Sequence, residues 1–201
     1  MLFFKQEEGY RFFCLEKGTW IQVSFCYSGK NKEERTMDYR IVELDGFKVV
    51  GYKKESTNEK QQGMQDCPAF WGEILSTRKQ EALLPLINRQ PFGLIGASFY
   101  NVDPDDGKRF DYYISAATTL ETPAGLEERE VPANTWAVFP TTKEASGQTQ
   151  FEIVSAWGPQ SKDYELLNTG YLTGEMASGG PDMEVYGRGD DIEIWVPVKK
   201  K

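Results

Sequence analysis

One acidic side chain near the C-terminus is a candidate for chemistry. Residues 191–198 have the alternating pattern of a β-strand, whose apolar face is formed by Ile192, Ile194 and Val196. Glu193 and Trp195 share the opposite face. A carboxylate beside a large aromatic side chain lies either at a solvated surface or on the floor of a cavity, where it needs a partner such as a cationic ligand between aromatic walls. The pattern leaves both alternatives open, and the second makes Glu193 and Trp195 ligand-binding residues.

The amino-acid types exclude several classes of catalyst. The chain has no histidine, so Ser/His and Cys/His nucleophiles and histidine-ligated metals are excluded. The three cysteines, Cys14, Cys26 and Cys67, are an odd number without metal-binding spacing, which favours reduced cytoplasmic thiols. Cys67 begins a predicted helix, whose dipole would lower the pKa of the thiol, but no partner for catalysis is near it in sequence. Without a phosphate-binding loop or a dinucleotide-binding glycine motif, we expect neither cofactor nor metal.

The charge distribution bears on the choice of partner. Residues 1–65 carry eleven Lys/Arg against ten Asp/Glu, whereas residues 66–201 carry twelve against twenty-one. An acidic surface repels phosphate backbones and attracts cations, so we expect no direct binding of nucleic acid; the alternative is that acidity only keeps the protein soluble. No apolar run is long enough to cross a membrane, and the N-terminus lacks the features of a signal peptide. These features predict a cytoplasmic protein without a membrane partner.

The order of predicted elements indicates a duplicated fold. A polar run at 28–35 resembles a linker, which predicts an N-terminal extension at 1–37 and a domain at 38–201. The domain has two strand-helix-strand-strand units, with the first helix beginning near Asp66 and the second spanning 148–157. Such a pair favours an α+β fold in which an antiparallel sheet carries helices on one side. A ligand pocket would then lie on the free sheet face or between the two units.

Five segments in order resemble one known family. They are YRIVE at 39–43, FKVVG at 47–51, FDY at 110–112, VPANTWAVF at 131–139 and EIWVPV at 193–198. Over residues 38–200 the chain is similar to the GyrI-like small-molecule-binding domain. This domain occurs as the effector-binding half of AraC-type and multidrug-sensing transcription regulators, as stand-alone gyrase inhibitors and as integron cassette proteins that bind cationic drugs. The resemblance implies the duplicated strand-helix-strand-strand fold.

The resemblance also implies a set of ligand-binding residues. In drug-binding members a carboxylate on the last strand meets the cation in an aromatic pocket, and Glu193 with Trp195 matches that position. The matching aromatic walls would be Trp71, Tyr112 and Trp136. The family usually has a tyrosine where this chain has Trp136, so the identity of the ligand does not carry over. From the residues alone, Trp71 also fits a core stripe of the first helix.

We therefore expect a stand-alone or detached effector domain that binds a small aromatic, cationic molecule. One alternative is hydrolysis of cyclopropane-bearing genotoxins, an activity of some relatives, with Glu193 and Tyr112 as catalytic residues beside Trp71. Another is a protein-interaction module, whose partner is gyrase, a separate DNA-binding chain or a second copy in a homodimer. The alternating segment at 20–27 could supply an exposed edge for such pairing.

Overall fold

The computed structural model describes residues 37–168, 176–187, 189 and 191–201, together with the backbone of three strands nearer the N-terminus. The chain divides into two compact units, Met1–Arg35 and Thr36–Lys201. The first unit contains an antiparallel sheet of β1 (Phe4–Glu7), β2 (Tyr10–Leu15) and β3 (Thr19–Val23). The strand predicted at 20–27 overlaps β3, while its second half and the polar run at 28–35 lie outside the described residues.

The second unit is an α+β fold with a nine-stranded antiparallel sheet. Its first half contains β4 (Arg40–Leu44), β5 (Phe47–Thr57), α1 (Gly63–Ser76), β6 (Leu94–Phe99) and β7 (Arg109–Thr118), with short 3-10 helices at Glu59–Gln61, Lys79–Ala82 and Leu84–Leu86. Its second half contains β8 (Glu127–Val131), β9 (Asn134–Thr141), α2 (Ser146–Glu152), a π-helical turn at Ile153–Trp157, α3 (Gly158–Gln160), β10 (Tyr164–Leu166), β11 (Asp182–Tyr186) and β12 (Ile192–Lys200). The duplicated order predicted from the sequence is confirmed.

Two bent strands close the sheet into a ring. The chain from β4 into β5 pairs with the chain from β8 into β9 in one continuous register, from Arg40↔Val138 to Gly51↔Glu127. The other edge of β5 pairs with β7, and the other edge of β9 pairs with β12. Since β7 pairs with β6, β6 with β11 and β11 with β12, the ladder returns to its start. Asp-Gly is a dipeptide typical of β-hairpin turns, but Asp45-Gly46 is a bend within one ribbon, and no hairpin turn forms there.

Each strand of the ring has an inner and an outer face. Inner-facing side chains, among them Val49, Ala97, Trp136 and Met183, are almost completely buried and fill the ring. Both helices lie on the outer face, as predicted: α1 buries Phe70 and Ile74 there, and the helical segment after α2 buries Ile153 against Phe139, Ile194 and Val196. Helix α1 begins at Gly63, so Asp66 lies in its first turn rather than at its N-cap.

Candidate functional site

A seam on the outer face separates the areas that α1 and α2 cover. The seam is floored by the two central strands, β6 and β11. The register aligns Glu184 of β11 with Gly96 of β6, and the next row aligns Asp182, Ser98 and Tyr112. Because residues two apart on a strand share a face, Asp182, Glu184 and Tyr186 all belong to the floor of the seam. The ring thus places two carboxylates and two tyrosines between its helices.

Three aromatic side chains form one wall of the seam. The Trp71 indole Nε1 of α1 donates a hydrogen bond to Tyr112 Oη of β7 at 2.9 Å. The Trp71 ring also packs on Tyr186, with the ring centroids 4.7 Å apart and the planes tilted by 58°. Tyr112 is buried, whereas Trp71 and Tyr186 keep part of their surface exposed. The first helix therefore contributes an aromatic contact to the seam in addition to its core stripe.

Glu184 lies at the centre of the seam and is held by fixed donors. Gln150 Nε2 of α2 donates to Glu184 Oε1 at 2.6 Å, and Tyr186 Oη donates to Glu184 Oε2 at 2.9 Å. Burial raises the pKa of Glu184 above its ordinary value, and the hydrogen bonds from Tyr186 and Gln150 oppose that shift. The carboxylate therefore has a desolvation cost that a bound cation would reduce.

The tyrosines of the seam stay neutral. Burial raises the pKa of Tyr112 far above its usual range, and the negative charge of Glu184 raises it further. The pKa of Tyr186 rises for the same two reasons. Both hydroxyl groups therefore keep their protons and act as hydrogen-bond donors at neutral pH.

Gly96 lets Tyr112 approach the carboxylate. A Cβ atom at Gly96 would clash with Tyr112 Oη and would lie 3.5 Å from Glu184 Oε2. The missing side chain on β6 thus makes room for the tyrosine hydroxyl beside the acid.

The thiol of Cys67 on α1 is not activated. Burial, followed by the charges of Glu184 and Asp66, raises the pKa of Cys67 to about 12. The lowered thiol pKa suggested by its place near the start of α1 is wrong, because desolvation and two nearby acids outweigh the helix dipole.

Asp182 is the second carboxylate of the seam. Burial raises its pKa to about 6, and the hydrogen bond from Asn168 Nδ2 to Asp182 Oδ1, at 3.0 Å, partly opposes the shift. Asn168 is itself buried, and its Nδ2 also donates to the carbonyl oxygen of Gly180. Asp182 is thus held by an amide that anchors the chain leading into β11.

The structure divides the five predicted ligand-binding residues between the two faces of the sheet. Trp71 and Tyr112 lie together in the seam. Glu193, Trp195 and Trp136 lie on the inner face of β12 and β9, where the Trp136 and Trp195 ring centroids are 6.2 Å apart. Trp136 is completely buried, and its Nε1 has no hydrogen-bond partner among the described residues.

Glu193 forms an ion pair with Arg40. Its Oε1 lies 2.7 Å from Arg40 Nη1, and its Oε2 accepts from Arg40 Nη2 at 2.8 Å and from Trp195 Nε1 at 3.0 Å. The Arg40 guanidinium lies 5.8 Å from the centre of the Trp195 ring. The register of the sheet places Glu193 on the face opposite to Tyr112, which Trp71 contacts.

Sequence reasoning missed Glu184, Tyr186 and Gln150. A usable signal was present, because Glu184 and Tyr186 on β11 repeat the acid-x-aromatic pattern of Glu193 and Trp195. Gln150 has no signal in sequence, since its role depends on where α2 crosses β11.

Two surface clefts among the described residues lie outside the seam. One surface cleft of about 370 Å³ lies beside Tyr52, Phe70 and Lys79, and a second, of about 260 Å³, lies beside Asp103 and Arg109. The described residues contain no group of three or more acidic, cysteine or histidine side chains placed to hold a metal. No described helix has the length and apolarity needed to span a membrane.

The fold is that of an effector-binding domain, and comparison with known proteins identifies the family. Residues 40–198 match the integron-associated effector binding protein family, Cass2, and the chain belongs to this family. No curated protein matches the chain in sequence.

Solved structures show the same fold. SAV2435 bound to tetraphenylphosphonium is 21% identical, with 81% of this chain and 94% of that one covered and a TM-score of 0.64. A transcription regulation protein from Staphylococcus aureus MU50 is 21% identical, with 82% and 99% covered and a TM-score of 0.63. An integron cassette protein from the mobile metagenome of Vibrio cholerae is 18% identical, with 80% and 95% covered and a TM-score of 0.50.

Proposed function

We propose that this protein binds a small organic cation with aromatic surface in the seam, with Glu184 as the carboxylate that meets the positive charge. The observation that carries the proposal is the position of the partly buried Glu184, which accepts from Tyr186 and Gln150 on the face where Trp71 contacts Tyr112 and Tyr186. Membership of an effector-binding family supports it, as does the fold shared with SAV2435, which is described bound to tetraphenylphosphonium.

The electrostatics of the seam favour a cation over a neutral ligand. An ionised carboxylate in a desolvated site is costly unless it is paired, and a cation supplies the pair. Aromatic faces add cation–π attraction of about 2 kcal/mol when the site is dry. Because Trp71 contacts both Tyr112 and Tyr186 in this structure, we expect its ring to move when a ligand enters.

The proposal is tested by removing the charge of Glu184 without changing its shape. We expect Glu184→Gln to weaken the binding of tetraphenylphosphonium by about tenfold or more, measured by isothermal titration calorimetry, because the charge attraction is lost. Triphenylphosphine oxide, a neutral probe, should bind weakly to both proteins. Equal affinity of wild type and Glu184→Gln for tetraphenylphosphonium would refute the proposal.

Glu193→Gln is the matched control. It removes a carboxylate of the same sequence pattern that the structure pairs with Arg40 on the inner face. We expect its affinity for tetraphenylphosphonium to equal that of the wild type. The prediction that Glu193, with Trp195 and Trp136, forms the ligand site would be supported instead if Glu193→Gln lost binding while Glu184→Gln kept it.

Hydrolysis of the bound molecule is a second candidate function. The raised pKa of Glu184 favours it, because a carboxyl group tuned towards neutral pH can act as a general base. The prediction placed Tyr112 and Trp71 beside Glu193 in this role; Tyr112 and Trp71 lie on the face of the sheet that carries Glu184 instead. Mass spectrometry of cyclopropane-bearing alkylating compounds after incubation with the protein tests this candidate, and conversion that Glu184→Gln abolishes would support it. Roles as a regulator's effector domain, a gyrase inhibitor or a homodimer stay predictions.

A further inference from the structure

We propose that the seam prefers flat aromatic dications, with one positive charge of the ligand at Glu184 and the second at Asp182. This inference rests on the proposed function and adds to it a second ligand-binding residue and a class of ligand. It follows from the spacing of the two acids on β11 and from the partners that each of them has.

Asp182 and Glu184 place two carboxylates on the same face of β11. They are two residues apart on the strand, which sets the starts of their side chains about 7 Å apart. The register aligns Glu184 with Gly96 and Asp182 with Ser98 of β6, so both acids belong to the floor of the seam. Both residues keep part of their surface exposed. A molecule that lies along β11 would therefore pass over both acids.

The partners that the structure describes for these two acids are neutral. Glu184 accepts hydrogen bonds from Gln150 and Tyr186, and Asp182 accepts one from Asn168. A carboxylate that is taken out of water is costly unless its charge is compensated, and two carboxylates close together also repel each other. A monocation would compensate one of the two negative charges, whereas a dication would compensate both.

The aromatic wall extends along the rows of both acids. Tyr112 lies in the row of Asp182, and Tyr186 follows Glu184 on the same face of β11. Trp71 donates to Tyr112 and packs on Tyr186, so its ring bridges the two rows. A flat aromatic ligand along β11 would meet this wall over its whole length, with cation–π attraction at both of its charges.

The test compares methyl viologen, a flat dication, with the matched monocation in which a phenyl ring replaces one of the two N-methylpyridinium rings. Isothermal titration calorimetry is done at pH 8, where Asp182 is ionised because its pKa is about 6. We expect the wild type to bind the dication about tenfold more tightly, the size expected for one further interaction with a charged group. Asp182→Asn keeps the shape of the side chain but not its charge, so the preference should fall to about twofold or less.

Asp163→Asn is the matched control. It removes the same charge from an exposed position near Tyr39, away from the floor of the seam. We expect Asp163→Asn to keep the full preference for the dication. An equal loss of preference in the two variants would show that the overall charge of the protein sets it, and would refute the role of Asp182.

The outcomes separate this inference from the function on which it rests. If the wild type binds tetraphenylphosphonium but does not prefer methyl viologen to its monocation, the inference is refuted, even where Asp182→Asn fails to fold. An unchanged preference in a folded Asp182→Asn protein refutes the role of Asp182. Binding of tetraphenylphosphonium and of both test ions that is as tight in Glu184→Gln as in the wild type refutes the proposed function, and the inference with it.

Discussion

The buried carboxyl group of Asp182 predicts a pH-dependent term in the stability of the folded chain. Its pKa is about 6 in the folded protein against an ordinary value of 3.8, because burial disfavours the charged form. The folded protein therefore binds the extra proton, so this contribution to stability is fully present below about pH 4 and is lost as pH rises through 6. A shift of about two pKa units corresponds to about 3 kcal/mol of unfolding free energy.

The substitution Asp182→Asn measures how much the ionisation of Asp182 contributes to the stability of the folded chain. The asparagine carbonyl can still accept from Asn168, but it cannot ionise. We expect the difference in unfolding free energy, variant minus wild type, to increase by about 2 to 3 kcal/mol between pH 4 and pH 7. Urea unfolding followed by tryptophan fluorescence at several pH values measures this difference.

Asp103→Asn provides a control of opposite sign. The backbone N–H of Asp105 and the side chain of Arg109 lower the pKa of Asp103, so the wild type gains stability as pH rises through the ordinary value. The Asp103→Asn difference should therefore decrease with pH. A difference for Asp182→Asn that does not change between pH 4 and pH 7 would show that Asp182 is solvated, and would refute the reasoning.

Three further predictions concern other contacts of the fold. Gly96→Ala should lower the unfolding free energy by about 1 to 3 kcal/mol in urea titrations, since the new methyl group displaces Tyr112 from Trp71; an unaltered midpoint would contradict the close approach. Glu193→Gln should cost under about 1 kcal/mol in the same assay, because half of its partner Arg40 is exposed to water; a larger loss would mean that the pair is more buried than described. Cys67 should be alkylated by iodoacetamide at pH 8 at least about 100-fold more slowly in the native chain than in urea, because its thiol pKa is about 12; equal labelling by peptide mass spectrometry would exclude that pKa.

The local elements of the fold could be predicted from the sequence. Period-two alternation located strands such as β7 and β12, and the spacing of Phe70 and Ile74 located α1. The closure of the ring could not be predicted in this way. It depends on β4 and β5 sharing one register with β8 and β9, which are more than seventy residues away. Asp45-Gly46 suggested a local hairpin, and long-range pairing overrode that preference.

The candidate site could be predicted in its aromatic part only. The family resemblance implied Trp71 and Tyr112 as pocket walls, and the structure brings them together through a hydrogen bond. Because neighbouring residues of a strand point to opposite faces, Tyr113 packs on Phe99 inside the ring while Tyr112 lies on the outer face. Gln150 and Gly96 act through atoms that approach Glu184 only after the sheet and α2 have met, so their types and spacing carry no local signal.

The sequence alone cannot distinguish Glu184 from Glu193 as the acid that would bind a ligand. Glu184 and Glu193 each precede an aromatic residue by two positions on a strand, so alternation treats them alike. Their strands are neighbours, and the register sets Val185 opposite Glu193, which puts the two carboxylates on opposite faces of the sheet. A shift of one residue in that register would exchange them. Trp136 and Trp195 are buried inside the ring, where Glu193 pairs with Arg40, whereas Glu184 on the outer face accepts from Gln150 and Tyr186. The two acids thus differ in their partners and in their face of the sheet, and for this reason the pair Glu184→Gln and Glu193→Gln is the most direct test of which acid meets a ligand.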